Sequence, residues 1–426
     1  MRPPTTAERA SDDSQRVRLA VLVSHEHPLY RPAEAIDRTR FEAEFGALYA
    51  EGVGRAGRPT RLLVGLHYLK CLFDESDESL VIKFGENPCW QFFCGCVYFE
   101  HELPCHPTSL VRWRGRIGAS GMEKLLDETL STAERERALR ESEIRRVHVA
   151  TTVQEKAVAF PTDARLYHKA RRALVRAARS AGIDLRQTYA RPGKQARARQ
   201  GRYAHARQMK RARRETRRLR QYLGRVIRDT RRKCPRPGAA LKALLERAAR
   251  TLSQQRHDTH KLYSVHAPEV ECIAAGKAHE PYEFGCKVAV VTTAETNWVV
   301  GIDAVHDNPY DGATLGPALA QVERVTALKP EEAFVDRGFR GAAHHPEGVA
   351  VYVSGRERLT RTLKALLRRR SAIEPVIGHL KDGHGMERNH LLGQGGDRIN
   401  AMLTGCGLNL RKLWRFFHAA VSLQPA

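Results

Sequence analysis

Polar and apolar positions alternate through RRVHVATTVQEKAVAF (145–160). Val147, Val149, Thr151 and Val153 fall on one side, and His148, Ala150, Thr152 and Gln154 on the other. A period of two predicts a strand. Upstream, from about 30 to 140, the spacing is helical and the helices are short. Thr60 is placed to cap one whose apolar face is Leu62, Leu63, Leu66 and Leu69. Ser76, followed by Asp77 and Glu78, caps the next and suits its positive N-terminus. NPCWQFFCGCVYF (87–99) reads as an aromatic core segment. HPTSLVRWRGRIG (106–118) starts a helix near Thr108 or Ser109 that carries Arg112, Arg114 and Arg116.

Downstream of the strand, 163 to about 260 is helical, basic and poor in apolar residues at its centre, with CPRPG (234–238) folding it into a hairpin. After 261 strands and helices alternate. YEFGCKVAVVTTAETNWVVGIDAV (282–305) predicts two strands joined by the polar turn AETN. DGATLGPALAQVERV (311–325) predicts a helix capped by Asp311. EEAFVDRGFRG (331–341) predicts a strand ending at Asp336, and GVAVYVSG (348–355) another short strand. The segments at 361–383 and 400–420 are helical, the second with an aromatic face.

The order strand, hairpin, helix, strand, helix, strand, helix is that of an RNase H-like sheet. The expected fold is therefore mixed α/β: an RNase H-like core with a basic helical insertion after its first strand, plus an N-terminal all-helical DNA-binding domain. The expected boundaries are a disordered tail at 1–16, the helical domain at 17–140, the first part of the core at 141–162, the insertion at 163–260, and the rest of the core with the C-terminal helix at 261–426.

Charge narrows the function. The net charge is +24 and the pI about 10.0, an excess that favours a polyanionic partner, above all nucleic acid. Short helices in a row, one of them rich in arginine, suit a helix-turn-helix-like module with Arg112, Arg114 and Arg116 on DNA; a helical bundle with solvated arginines gives the same pattern. RAGRP (55–59) suggests a weak minor-groove hook, although a basic loop before a helix explains it as well. Arg213, Arg214 and Arg217 stand for the basic block, whose self-repulsion a phosphate backbone would relieve. LAVLV (19–23) is too short to span a bilayer, and no secretion signal precedes it, which predicts a cytoplasmic, nucleoid-associated protein. The nine cysteines show no regular pairing, in keeping with a reducing compartment. Cys89, Cys94, Cys96 and Cys105, near His101 and His106, match no common zinc spacing and read as buried thiols.

Two carboxylates suggest chemistry. Asp336 ends a predicted strand, where sites collect in α/β sheets, although such a residue is often only a turn former. Arg370, Glu374 and Lys381 lie at relative positions 0, 4 and 11, within an arc of roughly 40° on a helix. A solvated salt-bridge face has the same spacing. Pro375 opposes an unbroken helix; if the helix starts there, only Glu374 and Lys381 keep this relation. An Asp and a Glu so placed suit phosphoryl transfer assisted by Mg²⁺, with Mn²⁺ as the alternative. Arg370 and Lys381 would hold DNA phosphates, as would Arg337 and Arg340 beside Asp336.

A longer set of motifs then comes into view. RPTRLLVGLHYLKCLFDESDESLVIKFGENPCWQFFCG, HELPCHPTSLVRWRGRIG, TTVQEKAVAFPTDARLYHKA, HAPEVECIAAGKAHEPYEFGCKVAV, NPYDGATL, VDRGFRG and RRRSAIEPVIGHLK occur in order from about 28 to 417. In these the chain resembles bacterial insertion-sequence transposases of the DDE class, insertion-sequence-five group. The resemblance implies an RNase H-like core carrying two Asp and one Glu. The second Asp maps onto Asp336 and the Glu onto Glu374, with the family's R-three-E-six-K signature on Arg370, Glu374 and Lys381. Leu367 stands where many members have a tyrosine. The first Asp falls on Ala150. Asp163, 13 residues on, already has its own place in the pattern, as does Asp311. Losing a ligand shared by two metals would cost about a thousandfold in rate or more, while fold and DNA binding need not suffer. The resemblance further implies double-stranded DNA partners (inverted-repeat ends and target DNA), a homodimer, and metal-dependent cleavage and strand transfer. With Ala150 the expectation is an impaired enzyme; the alternative is a binding-only repressor or domesticated end-binder.

Overall fold

The computed structural model describes residues 17–49, 57–274, 281–355 and 360–422. The expected tail at 1–16 and the start of RAGRP lie outside them. Two compact units emerge, one of residues 1–155 with 287–426, the other of 156–286.

The first unit is built on a mixed sheet. β1 (Arg146–Glu155) is flanked by β3 (Tyr282–Thr293) and β5 (Glu332–Val335); β6 (Ala350–Val353) lies beyond β5, and β4 (Val299–Val305) pairs with β3. β1, β5 and β6 run parallel, and β3 with β4 forms an antiparallel hairpin with a register shift at Val291/Thr292. The hairpin turn is the AETN segment. β1 is largely buried on both faces and carries no Asp, Glu, Lys or Arg over the eight residues from Val147 to Gln154. Between β5 and β6, where a helix was expected, there are only two short 3-10 turns, Arg337–Phe339 and Ala342–His344. The segment is too short and too rich in glycine and histidine to propagate a helix.

The helix Gly393–Ser422 runs past the hairpin, the helix Thr60–Leu72 and the helix Pro107–Arg135, so the N-terminal helices share a core with the sheet. Asn409 ties this layer to the sheet: its side chain accepts from Val299 N (3.0 Å) and donates to Val299 O (2.9 Å) and Thr129 Oγ1 (3.1 Å). Gly407 permits the crossing with Thr60–Leu72, since a Cβ there would stand 2.5 Å from the Cys71 carbonyl oxygen. The Thr60–Leu72 helix is buried from Leu62 to Leu69, and Thr60 is its first residue rather than its cap; Pro59 occupies the cap position. Ser76 does cap the next helix, in a reciprocal box with Ser79. The arginine-bearing helix begins at Pro107, a position that suits proline, with His106 as its cap. Cys94 and Cys105 are buried, and Cys94 Sγ packs against Gly65.

In the second unit β2 (Glu271–Ala274) pairs antiparallel with residues 282–285 of β3. Four helices, Asp163–Ser180, Ala190–His205, Met209–Lys233 and Ala239–Ser253, enclose a core that includes Tyr167, Ala170, Leu174, Leu219, Leu223, Val226, Leu241 and Leu245.

Candidate active site

Asp336 follows the last residue of β5 and caps the 3-10 turn Arg337–Phe339, accepting from Gly338 N at 2.8 Å. Its position is fixed by the strand before it and by this bond. β1 and β5 pair in register from Arg146↔Glu332 to His148↔Phe334. The same offset, carried two residues further, sets Ala150 level with Asp336. In parallel strands residues at one level point to the same face. His148 and Phe334, one step back, bear this out: their rings meet edge to face with centroids 6.0 Å apart. Ala150 is 3% exposed and brings no polar atom to that face beyond its backbone.

The helix Ile373–His384 runs alongside β1. Ile373, Val376, Ile377, Leu380 and His384 are its buried stripe. Its approach is marked at both ends. Arg370, just before it, lies close enough to depress the His148 imidazole, and Asn400 bridges Gly385 O (3.1 Å), just after it, to Gln154 Oε1 (2.9 Å) of β1. Glu374 is the second residue of this helix and is exposed.

Arg370 is not on the same helix. The chain is α-helical over Arg361–Arg369, tightens to a 3-10 turn over Arg370–Ala372, and resumes at Ile373. Pro375 is the cause: it has no N–H for the Ser371 carbonyl and its ring crowds that oxygen, yet it is tolerated in the first turn of a new helix. Arg370 Nη1 is buried with no hydrogen-bond partner. His148, fully buried, is pulled down to about 4 by burial and by Arg370. Lys381 lines a cavity of about 1020 Å³ whose other wall includes Asp74, Glu75, Asp77 and Glu78.

A further carboxylate lies near Asp336. Asp311 Oδ2 and Asp336 Oδ1 each stand 2.9 Å from where a Cβ on Gly338 would be, so both lean over a glycine that leaves room for them. Asp311 does not cap its helix, Asp311–Thr326; it is the first residue, and its carboxylate pairs with Lys287 Nζ at 2.7 Å. NPYDG gave the residue, but its nearness to VDRGF depends on tertiary folding.

The basic residues divide. Arg112, Arg116, Arg337, Arg340, Arg213, Arg214 and Arg217 are exposed. Arg114 is 3% exposed, forms a two-pronged pair with Asp77, and lies 3.3 Å from His67 Nε2. It is therefore a core ion pair and unavailable to DNA: on a helix, positions 112, 114 and 116 step by 200° and cannot share a face.

Comparison with known proteins identifies the family. A transposase domain family matches residues 17–116, and the transposase DDE domain family matches residues 348–414, the stretch holding Arg370, Glu374 and Lys381. An uncharacterized protein of Rhizobium meliloti, ORF8 in the nfe locus, is 46% identical over 193 residues, 45% of this chain and 93% of that protein. This chain belongs to the DDE-class insertion-sequence transposases. No solved structure matches it. Transposases of this class use divalent metal ions in DNA cleavage and strand transfer. No helix among the described residues is long and apolar enough to cross a membrane.

Proposed function

We propose that this transposase binds the terminal inverted repeats of an insertion sequence as a homodimer, and that its sheet is an RNase H-like core whose first catalytic position is vacated by Ala150. The strand order β4–β3–β1–β5–β6, with β1, β5 and β6 parallel, supports the core assignment. The 163–260 segment is then an insertion after β1, and 17–140 the end-binding part, with Arg112 and Arg116 as its exposed DNA contacts. Arg337, Arg340, Arg213, Arg214, Arg217 and Lys381 serve the phosphates, in a cytoplasmic, nucleoid-associated protein.

The observation that carries the reading is the register of β1 with β5, which sets Ala150 level with Asp336. Asp336 and Glu374 form an oxygen-only donor set of the kind Mg²⁺ accepts, with Mn²⁺ a substitute. Asp336 is half-buried and held by a backbone N–H, and Glu374 is exposed at a helix start; these two carboxylates would supply two of the three ligands such an ion takes in this family. A divalent ion held there would supply Lewis-acid activation of the attacking oxygen and stabilisation of the leaving one. The chain's own part is to hold the carboxylates and the phosphates in place. With alanine at 150 catalysis falls by about a thousandfold or more, leaving DNA binding intact.

The test is Ala150→Asp in the full chain. In chelator the variant melts lower than the unsubstituted protein, because a carboxylate enters a buried place beside Asp336. Added Mg²⁺ or Mn²⁺ raises its melting temperature more than that of the unsubstituted chain. End cleavage rises with it. Equal metal stabilisation of both proteins and equal cleavage would sink the assignment; restored metal binding without cleavage would favour a binding-only protein.

A further inference from the structure

Residues 156–286 contain 33 lysines and arginines against 10 aspartates and glutamates, while the other residues carry 39 against 38. Nearly the whole charge excess therefore sits in the second unit. Within it, the longest run of arginines is on the helix Met209–Lys233, but several of these are already engaged. Arg218 pairs with Glu215, which also takes Arg199 from the helix Ala190–His205; Arg232 pairs with Asp229, and Arg220 and Arg225 donate to Leu252 O and Tyr189 Oη.

The helix Asp163–Ser180 is different. Arg165, Lys169, Arg172 and Arg176 follow at relative positions 0, 4, 7 and 11, which at about 100° per residue fall within roughly 60° of arc and extend about 16 Å. Arg197, from the helix Ala190–His205, joins this row. Among the described residues no carboxylate pairs with any of the five. Arg165 donates to Phe160 O and Arg197 to Gln200 Oε1, which leaves their charges uncompensated. The crowding acts on the row and on the ring beside it. His168 is pulled down to about 4 by burial and by Arg171, Arg172 and Arg197; Lys169 is lowered by burial and by Arg165 and Arg172. The opposite side of the helix packs Ala164, Tyr167, Ala170 and Leu174 into the unit's core, so the helix that carries the row is fixed by packing. A row of cations that repel one another on a fixed support has its charges placed before any anion arrives.

We propose that Arg165, Lys169, Arg172, Arg176 and Arg197 form a rail for the sugar-phosphate backbone of duplex DNA, bound without regard to sequence. This rests on the transposase reading above, in which DNA is the substrate. It places the principal backbone contact of the second unit on this helix rather than on Met209–Lys233.

The experiment compares two charge-matched variants of the full chain, Arg165→Gln/Lys169→Gln/Arg172→Gln/Arg176→Gln and Arg213→Gln/Arg214→Gln/Arg217→Gln/Arg228→Gln. Binding to a random-sequence duplex is measured by fluorescence anisotropy over a range of salt. The rail variant should lose about 3 to 4 units of log–log salt slope, at about 0.9 per phosphate contact, and the other variant clearly less. Circular dichroism melts confirm that both fold, and replacing the rail arginines by lysine should keep most of the slope. A rail variant that matches the unsubstituted chain, or is no weaker than its charge-matched partner, overturns the proposal. So does an unsubstituted chain that binds duplex DNA with salt dependence while the rail variant loses only its binding of inorganic polyphosphate. Failure of the transposase reading looks different: the unsubstituted chain itself then shows no salt-dependent DNA binding.

Discussion

Arg114 shows how far one side chain can depart from the role its neighbours suggest. WRGR looks like a basic surface, yet Arg114 turns inward to Asp77, which Lys70 also contacts at 3.1 Å. His67 completes the cluster as a neutral ring, pulled down to about 3 by burial and by Arg114, with Nδ1 against Leu63 O at 2.7 Å. Arg114→Gln leaves the Asp77 carboxylate largely buried without its main partner and should cost about 3 to 5 kcal/mol, read as a drop in denaturation midpoint. DNA affinity measured well below the melting temperature should stay within a factor of a few. A sequence preference lost at unchanged stability would return Arg114 to the DNA. Asp336 was readable in the sequence because a polar residue closing an apolar run marks a strand end. The place of Ala150 on a strand was readable in the pattern around it; the role proposed for its position comes from the family pattern. Asp311 beside Asp336 and Arg114 beside Asp77 were not, because each pairing joins segments that only the folded chain brings together.

Among the elements, periodicity located strands and helices well, and failed where a contact overrode local preference. The break before Ile373 was announced by Pro375, although the spacing of Arg370, Glu374 and Lys381 alone suggested one helix. The buried Thr60–Leu72 helix has no polar face for periodicity to find, because Gly393–Ser422 and its other neighbours cover it. That crossing depends on Gly407. Gly407→Ala would set a methyl 2.5 Å from the Cys71 carbonyl oxygen and 2.8 Å from His384 Nδ1, both fixed, since His384 Nδ1 itself bonds that carbonyl at 2.8 Å. Better helix propensity is worth about 1 kcal/mol; forcing the helices apart costs about 1–3 kcal/mol. The net expectation is a modest loss in thermal stability. A variant more stable than the parent would mean that the crossing yields.

For the whole molecule, the histidines set a pH limit that the charge total hides. His148, His168 and His384 are each pulled down to about 4 and His67 to about 3, with burial the first cause and nearby arginines the next in His67, His148 and His168. In His384 the Cys71 carbonyl pulls weakly the other way, and Arg411 adds to the lowering. In the unfolded chain these rings titrate near 6.5. Between about 6.5 and 4 the unfolded chain therefore holds more protons than the folded one, so stability rises with pH across that window. Acidification from pH 7 should lower the melting temperature well before most carboxylates protonate. Asp303 and Glu134, whose carboxyls burial pushes up, act in the opposite sense at the lower end. The check is a melting series from pH 7.5 to 4.5 at fixed ionic strength, with His148→Gln alongside. The parent should weaken steadily below about pH 6.5, and the variant, relieved of one buried titrating ring next to Arg370, should weaken less steeply. A flat profile from pH 7 to 5, or the same slope in both proteins, would show that His148 takes its proton in the folded state as readily as in the unfolded one.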